Sequence, residues 1–267
     1  MRLLAPIIPN AAAPLVRANP VAKLAAALAI LVALFASLDA VTAGVMLLGL
    51  VALVPVSGLP IRGLVARSWL VGMVAAAIGV FNVLFAAQQV GPTVLDLGPL
   101  QIGAGTLANG AGLALRLLAI VLAGVLATAT SEPIDMADAL VQQLKVSPRF
   151  AIGILAALRL LPLLSQEWQT LGMARRARGV EAGRSPLAAV RLFGGKLLSL
   201  LVGVVRRGAR LASAMEARGF GALPCRSAAR PQRMRGSDWA WIGGALVLAA
   251  AAVGISLALG TWRPLIG

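Results

Sequence analysis

Two stretches whose arginines stand 40 residues apart share one arrangement, Ala177-Arg178-Gly179-Val180 and Ala217-Arg218-Gly219-Phe220. Arginine presents a planar fork of donors that grips a carboxylate through two parallel hydrogen bonds. An alanine before it leaves room for a narrow groove. A glycine after it ends a helix without bulk, because the left-handed backbone beyond a helix costs glycine nothing. The same arginine is also favourable at the negative end of a helix with no partner present. The tripeptide therefore suits a simple helix cap or a docking tip, and the elements that carry it must decide.

Each stretch closes a long segment that opens on Ser-Pro, at Ser147-Pro148 and at Ser185-Pro186. Serine is a strong N-cap, and proline fits the first helical position, where its missing donor would be unpaired anyway. The punctuation predicts helices over 148–178 and 186–218, about 45–50 Å long at 1.5 Å per residue. In the second, Leu187, Val190, Gly194, Leu197, Leu201, Val204, Gly208, Leu211 and Met215 recur in steps of three and four. That is a seam for another helix, with Gly194 and Gly208 allowing close approach. In the first, Ile154, Leu158, Leu161, Ser165 and Trp168 follow the same steps, and Pro162 is expected to kink it. The two helices, joined by a short link, are expected to cross. Arg175, Arg176, Arg191, Lys196, Arg206, Arg207 and Arg210 would be costly in a bilayer core. The pair is therefore expected along the cytoplasmic face, apolar sides to the membrane part and basic sides to lipid headgroups.

The rest of the chain is a membrane protein. Of 267 residues, 60% are hydrophobic and 12% charged, against about 25% charged in soluble domains. Five stretches are apolar enough to span, at 21–38, 40–57, 68–89, 107–127 and 239–260, the first two short. The net charge is +15, and residues 128–237 hold 17 of the 24 basic side chains. The positive-inside tendency places that segment in the cytoplasm. The basic loop at 58–67, with Arg62 and Arg67, then faces inside, and the Gly/Pro-rich loop at 90–106 faces outside. The N-terminus lies inside and the C-terminus outside, with Arg263 the one exception. Residues 1–20, broken by Pro6, Pro9, Pro14 and Pro20, form a cytoplasmic lead-in rather than a signal peptide. Arg116 falls within the fourth span with no acidic partner evident, either as a polar anchor between helices or packed against helix ends or a wet gap. A short helix is expected after Thr130-Ser131, one of which would cap it, with Glu132, Asp135 and Asp138 favouring its N-terminal end.

Several functions are disfavoured by what the sequence contains. Cys225 is the only cysteine and there is no histidine, which leaves no disulfide within the chain and no Cys/His zinc site. With no tyrosine and few aromatics for base stacking, the basic excess does not suggest nucleic acid. The nine acidic residues are scattered and form no catalytic cluster, against a membrane enzyme acting on lipid. Gly194-Gly195-Lys196-Leu197 lacks the first glycine and the Ser/Thr of a phosphate loop. Any ATP hydrolysis must come from another subunit. No cofactor is expected.

At this point the chain resembles a family, the transmembrane T component of energy-coupling factor (ECF) transporters, ATP-driven importers of vitamins and metal ions. The family's Asp-Pro-x-x-Lys appears as Asn19-Pro20-Val21-Ala22-Lys23. Its Thr-Thr-x-Pro before an Ala-Leu helix appears as Thr130-Ser131-Glu132-Pro133, then Ala137-Asp138-Ala139-Leu140. Its Leu-Arg-aliphatic-x-Pro appears as Leu158-Arg159-Leu160-Leu161-Pro162, and the two Ala-Arg-Gly motifs fall at 177–179 and 217–219. The departures are Asn19 for Asp and Ser131 for Thr.

The resemblance implies an all-α integral membrane protein of about five transmembrane helices. To these it adds a cytoplasmic-face domain of one short and two long crossed amphipathic coupling helices. The organisation expected is a lead-in at 1–20, spans 1–4 over 21–127, the coupling region and basic linker over 128–237, and the last span and tail over 238–267. It implies two cytoplasmic ABC ATPase subunits as partners, bound through Ala177, Arg178, Gly179, Ala217, Arg218 and Gly219. It also implies a small membrane S component that binds the substrate, in a bacterial or archaeal cell membrane. The rival readings are the membrane subunit of a conventional ABC importer with its own substrate pathway, and a basic membrane scaffold with no role in transport.

Overall fold

The computed structural model describes residues 12–86, 92–96, 101–180, 183, 185–220 and 230–262. The described residues are helical almost throughout. Its helices are α1 (Pro14–Arg17), α2 (Pro20–Ala36), α3 (Ala40–Leu53), α4 (Ile61–Leu84), α5 (Ala104–Ala129), α6 (Pro133–Gln143), α7 (Pro148–Ala177), α8 (Pro186–Ala217) and α9 (Gly236–Ala258). A small antiparallel strand pair, β1 (Thr93–Asp96) with β2 (Gln101–Gly103), precedes α5. The stretch 90–106, expected as plain loop, therefore holds this pair and the start of α5. The fourth apolar helix begins at Ala104 rather than 107. Likewise α4 begins at Ile61, directly after Pro60, so most of the loop expected at 58–67 is helix; nothing in the stretch beyond Pro60 breaks one.

Two compact units result. One comprises Met1–Lys145 with Gln232–Gly267, the other Val146–Pro231. In the first, α5 is central to the packing: it lies against α4, α3 and α2, while α9 covers α2 and α3. The core draws Ile30 and Leu34 from α2, Met46 and Leu50 from α3, Ala119, Leu122 and Leu126 from α5, and Ala245, Ala249 and Ala252 from α9. The preponderance of alanine and glycine lets these backbones come close, which is how helices associate where lipid removes the hydrophobic drive. The tightest case is Gly79 of α4 against Gly110 of α5. A Cβ on either would stand 2.8 Å from the carbonyl oxygen of the other.

α5, α7, α8 and α9 are long and apolar enough to cross a membrane, and α2, α3 and the Ser68–Leu84 part of α4 are shorter apolar helices. Each of the five stretches read as spans is helical over most of its length, and residues 87–89 of the third lie outside the described residues. By length and composition α7 and α8 qualify as well, because their charges are spread thinly over 30 and 32 residues.

Candidate functional site

The second unit holds α7 and α8 and both Ala-Arg-Gly stretches. Pro148 and Pro186 open the two helices at the expected residues. Ser185 caps α8 by accepting from the Ala188 amide at 3.4 Å, whereas Ser147 makes no such bond. α7 continues through Pro162 without interruption.

The two helix ends are built alike. Arg178 and Arg218 are the C-caps, with φ −92°, ψ 9° and φ −88°, ψ 11°. Gly179 and Gly219 follow in the left-handed region, at φ 70° and 75°. The Gly179 amide donates to the Arg176 carbonyl at 2.9 Å and the Val180 amide to the Arg175 carbonyl at 3.0 Å. At the other end the Gly219 amide donates to Glu216 at 2.9 Å and the Phe220 amide to Met215 at 3.0 Å. Both are Schellman motifs, in which two reversed bonds satisfy carbonyls that a helix end leaves open. The backbone is thereby closed on itself, and Ala177, Arg178, Ala217 and Arg218 all stand exposed. α8 starts eight residues after Arg178 and carries Arg218 at its far end. Its 32 residues measure roughly 48 Å, so the two ends are well separated.

α7 and α8 form a helical hairpin whose contacts run from the link outward. Arg175 Nη1 donates to the Leu192 carbonyl at 2.9 Å, and Trp168 meets Phe193 edge-on at 5.2 Å. Further out Arg207 and Glu167 form a two-pronged ion pair, at 2.9 and 3.1 Å. The expected seam is not what meets α7. Leu187 and Val190 are 79% and 69% exposed, and nothing lies within 4 Å of a Cβ on Gly194 or Gly208. Close approach occurs at Gly172 and Gly195 instead, where the neighbours are the ends of Lys196 and Arg175. The long basic side chains lie across the hairpin, and the three-four stripe of α8 is left facing outward.

The first unit holds two polar clusters that the sequence did not reveal as clusters. In one, Lys23 is buried and donates to the carbonyls of Thr130 at 2.9 Å and Val16 at 3.2 Å and to Ser131 Oγ at 3.2 Å. Asn19 caps α2 by accepting from the Val21 amide, and its own amide donates to Asp238 Oδ1 at 2.8 Å. The second oxygen of Asp238 accepts from the Arg235 amide at 2.7 Å. The motif residues Asn19, Lys23, Thr130 and Ser131 thus converge and tie the starts of α2 and α9 to the end of α5. Thr130 and Ser131 do not cap α6. Their hydroxyls turn back to the carbonyls of Leu126 and Ala127, because α5 runs on to Ala129, and Glu132 takes the N-cap position. Asp238 was missed; its only sequence signal is an isolated acid at the head of an apolar span.

In the other cluster, buried Asp39 caps α3 through the Thr42 amide at 2.7 Å and accepts from the hydroxyls of Ser37, Thr42 and Ser256. Burial alone would raise this carboxyl, but the hydrogen bonds from Ser37, Thr42 and Ser256 outweigh it and hold the group below its ordinary value. Arg116 is buried and donates to the Ser37 carbonyl, so it is an anchor between α5 and the α2–α3 turn. Among the described residues no group of three or more His, Cys, Asp or Glu side chains is placed to hold a metal ion.

Comparison with known proteins bears on these features. Residues 11–227 match the CbiQ family, described as cobalt transport protein. The energy-coupling factor transporter transmembrane protein EcfT of Listeria innocua is 30% identical over 234 residues, 83% of this chain and 86% of that one. EcfT of Limosilactobacillus fermentum is 32% identical over 181 residues, 63% of this chain and 66% of its own. EcfT of Heliobacterium modesticaldum is 34% identical over 160 residues, covering 56% and 59%. The matched residues span Lys23, Asp39 and both Ala-Arg-Gly helix ends, and with the relatives above they show that the chain belongs to the family of energy-coupling factor transporter transmembrane components, multi-pass membrane proteins of the importer.

Proposed function

We propose that this chain couples a cytoplasmic pair of ABC ATPase subunits to a separate, substrate-binding membrane subunit. The observation that carries the reading is the pair of matched helix ends. Each presents an exposed arginine on a helix end that two reversed backbone hydrogen bonds close. A rigid tip of this kind can enter a groove and meet a carboxylate there with little ordering cost. Two such tips, separated by the length of α8, suit two equivalent sockets on a dimer better than one site on a monomer. Ala177, Arg178 and Gly179 would fill one socket, and Ala217, Arg218 and Gly219 the other.

In this reading α7 and α8 lie along the cytoplasmic face and the N-terminus is inside. Closure of the ATPases on ATP moves the tips. The outward apolar stripe of α8, with Leu187, Val190, Leu197 and Leu201, supplies a surface on which the substrate-binding subunit rests and receives the movement. The chain itself hydrolyses nothing. The cargo is a vitamin or a transition-metal ion, held by the other membrane subunit. A conventional importer subunit with its own pathway is the alternative; against it, Lys23, Asp39 and Arg116 spend hydrogen bonds on ties between helices.

Affinity purification from the native membrane tests the reading. The expected partners, identified by mass spectrometry, are one or two ATPases and one small apolar membrane protein. Recovery of the chain with no ATPase would overturn it.

A further inference from the structure

Between the arms of the α7–α8 hairpin lies a cleft of about 430 Å³, entered by Arg175, Arg176 and Lys196 and walled by Trp168 and Phe193. Its cations are drawn together. A point where a Cβ on Gly172 would stand is 3.2 Å from Lys196 Nζ and 3.9 Å from Arg176 Nη2. Lys196 also sits 5.4 Å over the Trp168 ring. Arg175 spends one donor on the Leu192 carbonyl. Among the described residues no carboxylate pairs with any of the three, and Glu167, the acid of α7, is held by Arg207. Like charges gathered without a counter-ion repel one another, and an anion in the cleft would relieve that.

The ligand is defined by two properties of the walls. Two guanidinium forks and one ammonium suit the tetrahedral oxygens of a phosphate. The aromatic side, Trp168 with Phe193, has nothing to offer a bare inorganic anion but would cover glycerol and the first carbons of an acyl chain. We infer that this cleft binds the phosphate headgroup of an anionic phospholipid, with the lipid's apolar portion against Trp168. The site would moor the hairpin beside the Arg178 end to the membrane surface. It needs no ATPase and stands or falls apart from the function proposed above.

The test uses the full-length chain purified in a neutral detergent. Phosphatidylglycerol or phosphatidylcholine with the same brominated acyl chains is titrated into the micelles. Quenching of Trp168 is read as the difference between the wild type and Trp168→Phe. Phosphatidylglycerol is expected to quench at about tenfold lower lipid-to-protein ratio than phosphatidylcholine. Arg175→Gln/Arg176→Gln/Lys196→Gln should abolish that preference. Gly172→Leu, which keeps every charge but fills the cleft, should abolish it too and serves if the triple variant fails to fold by circular dichroism. Inorganic phosphate at matched ionic strength should leave the quenching in place. Displacement by it would assign the cleft to free phosphate and overturn the lipid. Equal quenching by the two lipids, or a preference that survives either folded variant, would overturn the site altogether.

Discussion

Gly179 and Gly219 do the same work at the ends of different helices. Both turn left-handed, at φ 70° and 75°, and both set the next amide on the carbonyl five residues back, Val180 on Arg175 and Phe220 on Met215, at 3.0 Å. The repeat is therefore one of geometry as well as of letters. A helix can end in many ways, and two ends with one solution present their arginines in one manner.

The first prediction concerns that turn. Gly179→Ala and Gly219→Ala force a Cβ into the left-handed region at a cost of about 1 kcal/mol. The local closure should weaken about fivefold, read as faster hydrogen exchange at the Val180 and Phe220 amides. Unchanged exchange in both variants would mean that the caps are not held by these turns.

A second concerns Lys23. Its ammonium has three acceptors from two distant parts of the chain. Lys23→Met keeps the volume and removes the donors, leaving the buried carbonyl of Thr130 and the half-buried one of Val16 without them. The bundle should lose about 2 kcal/mol, measured as a lower midpoint of denaturation in detergent. The exposed Arg178→Met serves as the control that should not shift it.

The third follows from Asp39. Its folded-state carboxyl is held below the ordinary value, so the unfolded chain binds the proton more readily. The stability it contributes is present above the unfolded carboxylate range and is lost as pH falls below about 4. Asp39→Asn should remove that part of the acid sensitivity while lowering stability at pH 7. A denaturation profile between pH 3 and pH 7 with the same slope in both proteins would contradict this.

The fourth rests on the approach of Gly79 and Gly110, where any side chain meets backbone. Gly110→Val should separate α4 from α5 and cost more than about 2 kcal/mol. Gly124→Val, on the same helix with nothing within 4 Å of its Cβ, should cost less than half as much in the same denaturation assay.

What the sequence made legible was what is local. Ser-Pro starts and Arg-Gly ends are decided within a few residues, so the bounds of α7 and α8 could be read to within one residue. A stripe of apolar residues says that a face wants covering, but not by what. The α8 seam was read as helix-facing, and α7 does not cover Leu187 or Val190, because basic side chains longer than the apolar ones reach across the hairpin first. Lys23 with Thr130, and Asn19 with Asp238, meet across more than a hundred residues, and no spacing marks such a pair. Arg116 showed no partner in sequence because the group that accepts from it is the backbone carbonyl of Ser37, which every residue possesses, and the acid near enough to act on it, Asp39, stands at the head of another helix. The strand pair before α5 was hidden by the glycines and prolines around it. Arg178 and Arg218 could be singled out as candidates from sequence, and the structure adds the shared shape of their helix ends.

The most direct test of the coupling account is how much ATPase stays with the chain when both tips change. Full-length wild type, Arg178→Lys/Arg218→Lys and Arg178→Glu/Arg218→Glu are purified from native membranes by the same tag, and bound ATPase is quantified per chain by mass spectrometry. The account predicts nearly complete loss with glutamate, which sets like charge against each socket, and partial loss with lysine, which keeps the charge without the planar fork. Undiminished ATPase on the glutamate variant, with the protein folded, would contradict it and leave the two arginines as helix caps alone.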